Sequence, residues 1–130
     1  MIVVDASVVA TALADDGGDG DAARARLRGE RLTAPQLIDL EVPSVWRRHV
    51  SDGRLEQRRA LLALADLRAM PIDRVPHLPL LERCWELREN VTIYDASYVA
   101  LAELRGVPLL TADGRLAAAP GVQCEIEVLG

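Results

Sequence analysis

The sequence predicts an α/β fold, with a mainly parallel sheet covered by helices on both faces. Two short runs, Met1–Val4 and Val107–Leu110, are wholly apolar. They are too brief for helices and lack the alternation of half-exposed strands, so they read as buried strands. Segments with helical spacing separate the strand candidates, and parallel strands need crossovers of this kind. At 130 residues, with no linker or low-complexity tract, one domain spanning residues 1–130 is expected.

In chain order, the Met1–Val4 strand leads into a helix from Ser7 to about Ala14. Asp15–Asp21 is rich in Gly and Asp and reads as a loop. Asp21–Arg28 is Ala/Arg-rich and helical, closed by Gly29. Leu32–Ala34 is a short strand, and Pro35 is placed to open a helix that runs to about Val50 before Asp52-Gly53. Pro43 interrupts that helix as a local fault. Leu55–Met70 carries Leu55, Leu61, Leu62, Leu64, Ala65 and Met70 on an expected apolar stripe, with arginines on the other face. Pro71–Val75 is a strand and Leu80–Glu89 a helix. A helix over Asp95–Arg105 stops at Gly106 and passes into the Val107–Thr111 strand. Asp113-Gly114 turns the chain, Arg115–Ala119 makes a helical turn, and Cys124–Leu129 is the last strand.

Half of the residues are apolar, which suits a globular protein. The aromatic complement is only Trp46, Trp85, Tyr94 and Tyr98, so the core is aliphatic, with the two tryptophans expected inside it. The net charge of −5 argues against holding nucleic acid by bulk positive charge. All fifteen basic residues are Arg. Without Lys there is no P-loop, and the phosphoryl-handling folds that pair a strand-end Asp with Lys are disfavoured. Cys84 and Cys124 lack metal-ligand spacing and are expected to be reduced thiols. His49 and His77 form no nucleophile–base pattern. No signal peptide and no membrane-length apolar run is visible, so a cytoplasmic protein is expected.

Two stretches, VVDASVVA at 3–10 and IYDASYVA at 93–100, are near copies. The likeness ends after eight residues and the surroundings differ, so this is no structural repeat. It does single out two acids. Asp5 ends a buried strand, where open parallel sheets place ligands; Ser7 is able to cap the following helix in its stead. Asp95 fits the third position of a capping box begun by Thr92, a structural role that competes with a functional one. Asp113 follows a second strand, although Asp-Gly alone makes a turn. Glu41 stands on an apolar stripe between Leu37 and Val45, where a carboxylate needs a partner or a cation. Four oxygen donors without a His or Cys cluster suit Mg²⁺ or Mn²⁺, and such a site suits metal-dependent phosphodiester hydrolysis.

Asp5 behind its strand, Glu41 on the next long helix, YDASYVALAE at 94–103 and LLTADGRL at 109–116 together resemble a PIN-domain ribonuclease. More narrowly the chain resembles a VapC-type toxin of a bacterial toxin–antitoxin system, over essentially its whole length. The resemblance implies a three-layer α/β/α sandwich, usually dimeric, that binds Mg²⁺ or Mn²⁺ and cleaves RNA. It implies that Asp5, Glu41, Asp95 and Asp113 form the acidic catalytic and metal-binding set, with Thr111 and Ser7 orienting water or a ligand carboxylate. It further implies a homodimer and a cognate VapB-type antitoxin that sets a basic side chain near the acidic pocket. Arg47, Arg48, Arg54 and Arg115 are candidates for contacting RNA. Pro43, two positions past Glu41, departs from the pattern and is expected to shift that side chain if it kinks the helix. The rival reading is a non-catalytic PIN-like interaction module whose pocket only receives a basic segment.

Overall fold

A computed structural model describes residues 1–130. Strands β1 (Ile2–Val4), β2 (Leu32–Pro35), β3 (Ile72–Val75), β4 (Leu109–Thr111) and β5 (Ile126–Val128) form one sheet. Their order is β3-β2-β1-β4-β5 and every pairing is parallel. Helices α1 (Ala6–Ala14), α2 (Gly18–Leu27), α3 (Ile38–Ser51) and α4 (Gln57–Ala69) pack on one another. Helices α5 (Leu81–Glu86) and α6 (Ile93–Arg105) pack together, with α6 against β1, β2 and β4, and α7 (Gly114–Ala117) lies near β5. The chain steps one way from β1 to β3 and then returns past β1 to β4. Right-handed crossovers therefore put the two helix groups on opposite faces, giving the α/β/α sandwich. Every residue of β1, β2 and β4 is buried, which accounts for the unbroken apolar runs.

Five local expectations change. Helix α2 begins at Gly18, so the Gly/Asp stretch is largely its first turn. Asp19 and Asp21 complement its dipole there. Gly20 sits so tightly that a Cβ would come within 1.8 Å of the Asp15 carbonyl oxygen. Arg24 fastens the same junction by donating to the Ala12 and Asp15 carbonyls at 2.9 and 2.8 Å. Pro35 ends β2 instead of opening a helix, pairing with Val75. Pairing with β1 stops at Thr33, so the missing N–H faces no ladder on that side.

On α4, which starts at Gln57 rather than Leu55, the buried residues are Ala63 and Leu67. Leu61 and Leu62 are 60% and 58% exposed. Ala63 and Leu67, four positions apart, mark the contact face, with Leu64 half-buried beside them. The expected Leu80–Glu89 helix is a 3₁₀ turn over Leu78–Leu80, then six residues of α5, then turns. Trp46 is buried and donates to the Ala10 carbonyl at 3.1 Å, whereas Trp85 is 62% exposed. Both cysteines are free thiols, and no helix is long and apolar enough to cross a membrane.

Candidate active site

The strand order reverses between β1 and β4, and the crevice outside the carboxyl ends of such strands is where open α/β sheets bind ligands. Asp5 follows β1 directly, and its N–H donates to the Leu110 carbonyl of β4 at 3.1 Å. Its carboxylate is the N-cap of α1, accepting from the Val8 N–H at 3.3 Å. Ser7 does not cap the helix; its hydroxyl donates to Asp5 Oδ1 at 2.5 Å and accepts from the Ala112 N–H at 3.1 Å. Thr111 mirrors it, donating to Asp5 Oδ2 and accepting from the Asp113 N–H at 3.0 Å. Two hydroxyls thus tie one carboxylate to the turn after β4. Burial pushes the Asp5 carboxyl above the ordinary range, although Ser7, Thr111 and Val8 all favour its charged form.

A cavity of about 210 Å³ opens beside Asp5 and is lined by Glu41, Asp95 and Asp113 as well. Glu41 reaches it from the first turn of α3, which continues unbroken through Pro43. Tyr98 on α6, a buried side chain, donates its hydroxyl to Glu41 Oε1 at 2.7 Å. Burial raises the Glu41 carboxyl, with the charges of Asp95 and Asp5 adding to the effect. Asp95 lies in the first turn of α6, where Thr92 Oγ1 accepts its N–H at 3.1 Å, so the capping signal is real. Its carboxyl also faces the cavity and is raised, chiefly by burial and further by the charge of Asp113. Asp113 differs: as N-cap of α7 it takes bonds from Arg115 Nε and Nη2, both at 3.1 Å, which lower its carboxyl.

The acids ring the cavity without three of them converging into a closed metal-binding cluster. Asp5, Glu41 and Asp113 instead have hydrogen-bonding partners from the protein itself. Sequence reasoning missed Tyr98 as a site residue. The signal was available in principle, since a buried Tyr needs a partner for its hydroxyl. Of the four arginines considered, Arg48 lines the cavity and Arg115 stands at its edge on Asp113. Arg47 is exposed on α3 outside the lining. Arg54 lies in a different cavity of about 580 Å³, between α1, α3 and α4. There Arg54 pairs with Asp52 and Arg59 with Asp16, and the acids Asp15, Asp16 and Glu56 share the lining with Arg54 and Arg59. His77 serves the backbone, accepting from the Leu37 N–H at 2.9 Å.

A parallel sheet with four acids at its switch point defines a class, a compact α/β domain with an anionic cleft. The PIN domain model matches residues 2–122. Ribonuclease VapC1 of Mycobacterium tuberculosis is 47% identical over 128 residues, covering 98% of this chain and 96% of that protein. The chain belongs to the PIN-domain family and, within it, to the VapC group. Solved structures share the fold. The crystal structure of Mycobacterium tuberculosis VapC20, a Sarcin-Ricin loop cleaving toxin, superposes with a TM-score of 0.70 at 19% identity, covering 95% of this chain and 97% of its own. VapBC2 from Rickettsia felis, bound to a DNA fragment from their promoter, gives 0.71 at 11% identity with full coverage of both chains.

Proposed function

We propose that this chain is a Mg²⁺- or Mn²⁺-dependent endoribonuclease, the toxin of a toxin–antitoxin pair. The observation that carries the reading is that Asp5, Glu41, Asp95 and Asp113, from four separate places in the sequence, line one cavity at the switch point. The 47% identity to a protein named a ribonuclease supports RNA as the substrate. The donor chemistry fits a hard divalent ion: carboxylate oxygens only, three of them on groups whose burial disfavours charge until a cation compensates.

Asp5, Glu41, Asp95 and Asp113 would hold the ion, which when bound activates water and offsets charge on the phosphate undergoing attack. The protein's own part is orientation. Ser7 and Thr111 fix both oxygens of Asp5, Tyr98 fixes one oxygen of Glu41, and Asp113 must leave Arg115 to join them. Arg115, once released, and Arg48 at the rim are placed to meet phosphate. The chain is proposed to act in the cytoplasm as a homodimer, held in check by a VapB-type antitoxin. Support for this part is the resemblance carried by the same motifs.

The test is cleavage of total RNA by the purified chain freed of partner. Activity should require Mg²⁺ or Mn²⁺, stop with EDTA and vanish in Asp5→Asn while the circular dichroism spectrum is kept. Undiminished cleavage by Asp5→Asn would overturn the metal assignment, and no cleavage by the parent would favour the non-catalytic module.

A further inference from the structure

The acidic cavity continues into a second one of about 470 Å³, which shares Asp95, Asp113 and Leu116 with it. The two make one groove whose outer half runs between residues 88–92 and the α7 region, with Arg88, Asn90 and Thr92 on its wall. Arg88 is among the arginines that pair with no carboxylate. Its guanidinium lies 4.5 Å over the centre of the Trp85 ring, and its Nη1 donates to the Trp85 carbonyl at 2.9 Å. Trp85, exposed in contrast to buried Trp46, is not in the lining itself and borders the groove through Arg88. Arg48, which lines the acidic cavity itself, also lacks a carboxylate partner.

A cation with no carboxylate partner beside an exposed indole is the pairing that single-stranded nucleic acid uses, phosphate on the Arg and base on the ring. A chain of net charge −5 cannot gather RNA by bulk attraction, so local unpaired arginines flanking the acids must supply it. Here one such residue lines the acidic half of the groove and one the outer half.

We propose that this groove is the path of an unpaired RNA strand, with a phosphate adjacent to the cut on Arg88 and its base stacked on Trp85. The proposal rests on the ribonuclease reading and adds a strand-binding subsite to it. Binding is read with a short fluorescein-labelled single-stranded RNA in the Asp5→Asn chain with Mg²⁺. Arg88→Ala should weaken binding about tenfold and reduce the slope of log affinity against log salt by about 0.7, the share of one phosphate contact on a single strand. Trp85→Ala should weaken it about five- to tenfold, within the range for loss of one stacked base, and Trp85→Phe should restore most of that.

RNA should also quench indole emission in the parent and not in Trp85→Phe, because Trp46 is buried. Arg68→Ala, which removes the same charge from exposed α4, should bind as the parent does. Melting curves confirm that each exposed-site variant is folded. The proposal is overturned if Arg88→Ala and Trp85→Ala bind RNA like the parent, if Arg68→Ala loses as much as Arg88→Ala, or if these variants lose only a co-expressed antitoxin. Absence of cleavage by the wild-type chain, with the binding results as expected, would overturn the nuclease reading and leave the groove assignment standing.

Discussion

Thr111→Val isolates the grip on Asp5. Valine keeps the shape of a side chain that is wholly buried and removes one hydroxyl that both donates to Asp5 Oδ2 and accepts from the Asp113 N–H. A hydrogen bond to a charged group contributes about 1.5–3 kcal/mol. Asp5 retains Ser7 and Val8 as donors, so the lower part of that range applies. We expect a loss of about 1.5–2 kcal/mol in urea unfolding at pH 8 without divalent cation. The Asp5 carboxyl, already raised by burial, should move higher still when followed by carbon-detected NMR. Once Asp5 is protonated the bond is to a neutral group, and the stability difference should shrink towards about 1 kcal/mol. Divalent affinity measured by calorimetry should weaken in parallel, because the carboxylate is less often charged and less well aimed. An unchanged Asp5 titration, together with a stability loss independent of pH, would show that Thr111 acts only by filling space.

Tyr98→Phe removes the donor to Glu41 and should weaken Mn²⁺ binding several-fold while costing about 1 kcal/mol of stability, read by calorimetry and urea titration; unchanged Mn²⁺ affinity would separate Tyr98 from the site. The pH dependence has a definite sign. Asp5, Glu41 and Asp95 have raised carboxyls in the folded state, so the folded cation-free chain binds protons that the unfolded chain releases. Their contribution is fully present below the ordinary carboxylate range and is lost as pH rises through the raised values. The melting temperature without cation should therefore rise as pH falls from neutral towards that range, and saturating Mg²⁺ should flatten the trend. At lower pH the opposite contribution from Asp113 and Glu127, whose carboxyls are lowered by Arg115 and Arg26, is lost. Gly20→Ala places a methyl group against the Asp15 carbonyl and should destabilise by about 1–3 kcal/mol in urea unfolding, with an intact melting curve refuting the close approach.

Much of this protein is written locally. The apolar runs marked β1 and β4, Thr92 marked the start of α6, and Gly106, at φ +65°, marked its end. These signals survive because neighbours in sequence carry them. Asp5 was legible for the same reason, since a strand and a helix start fix its place without reference to the rest of the chain. Glu41 was legible as an acid that needed a partner, but not which partner, because Tyr98 lies 57 positions away. Pro35 and the Gly18–Gly20 turn were misread because strand pairing with β3 and the close approach of α2 to α1 overrode local preference. Leu61 and Leu62 were assigned to a buried face by periodicity and Trp85 to the core by residue type, and only the neighbours around them left them exposed.

The sequence alone determined the layered α/β class and supplied four acids with structural roles ambiguous enough to demand context. Tertiary structure decided that the acids line one cavity. Strand order sets β4 beside β1, bringing Thr111 to Asp5 across 106 positions, while α3 and α6 deliver Glu41 and Asp95 to the same edge. The physical reason is range: caps and hydrophobic periodicity act over a turn or two, whereas mutual burial of charge exists only once distant segments share one cavity.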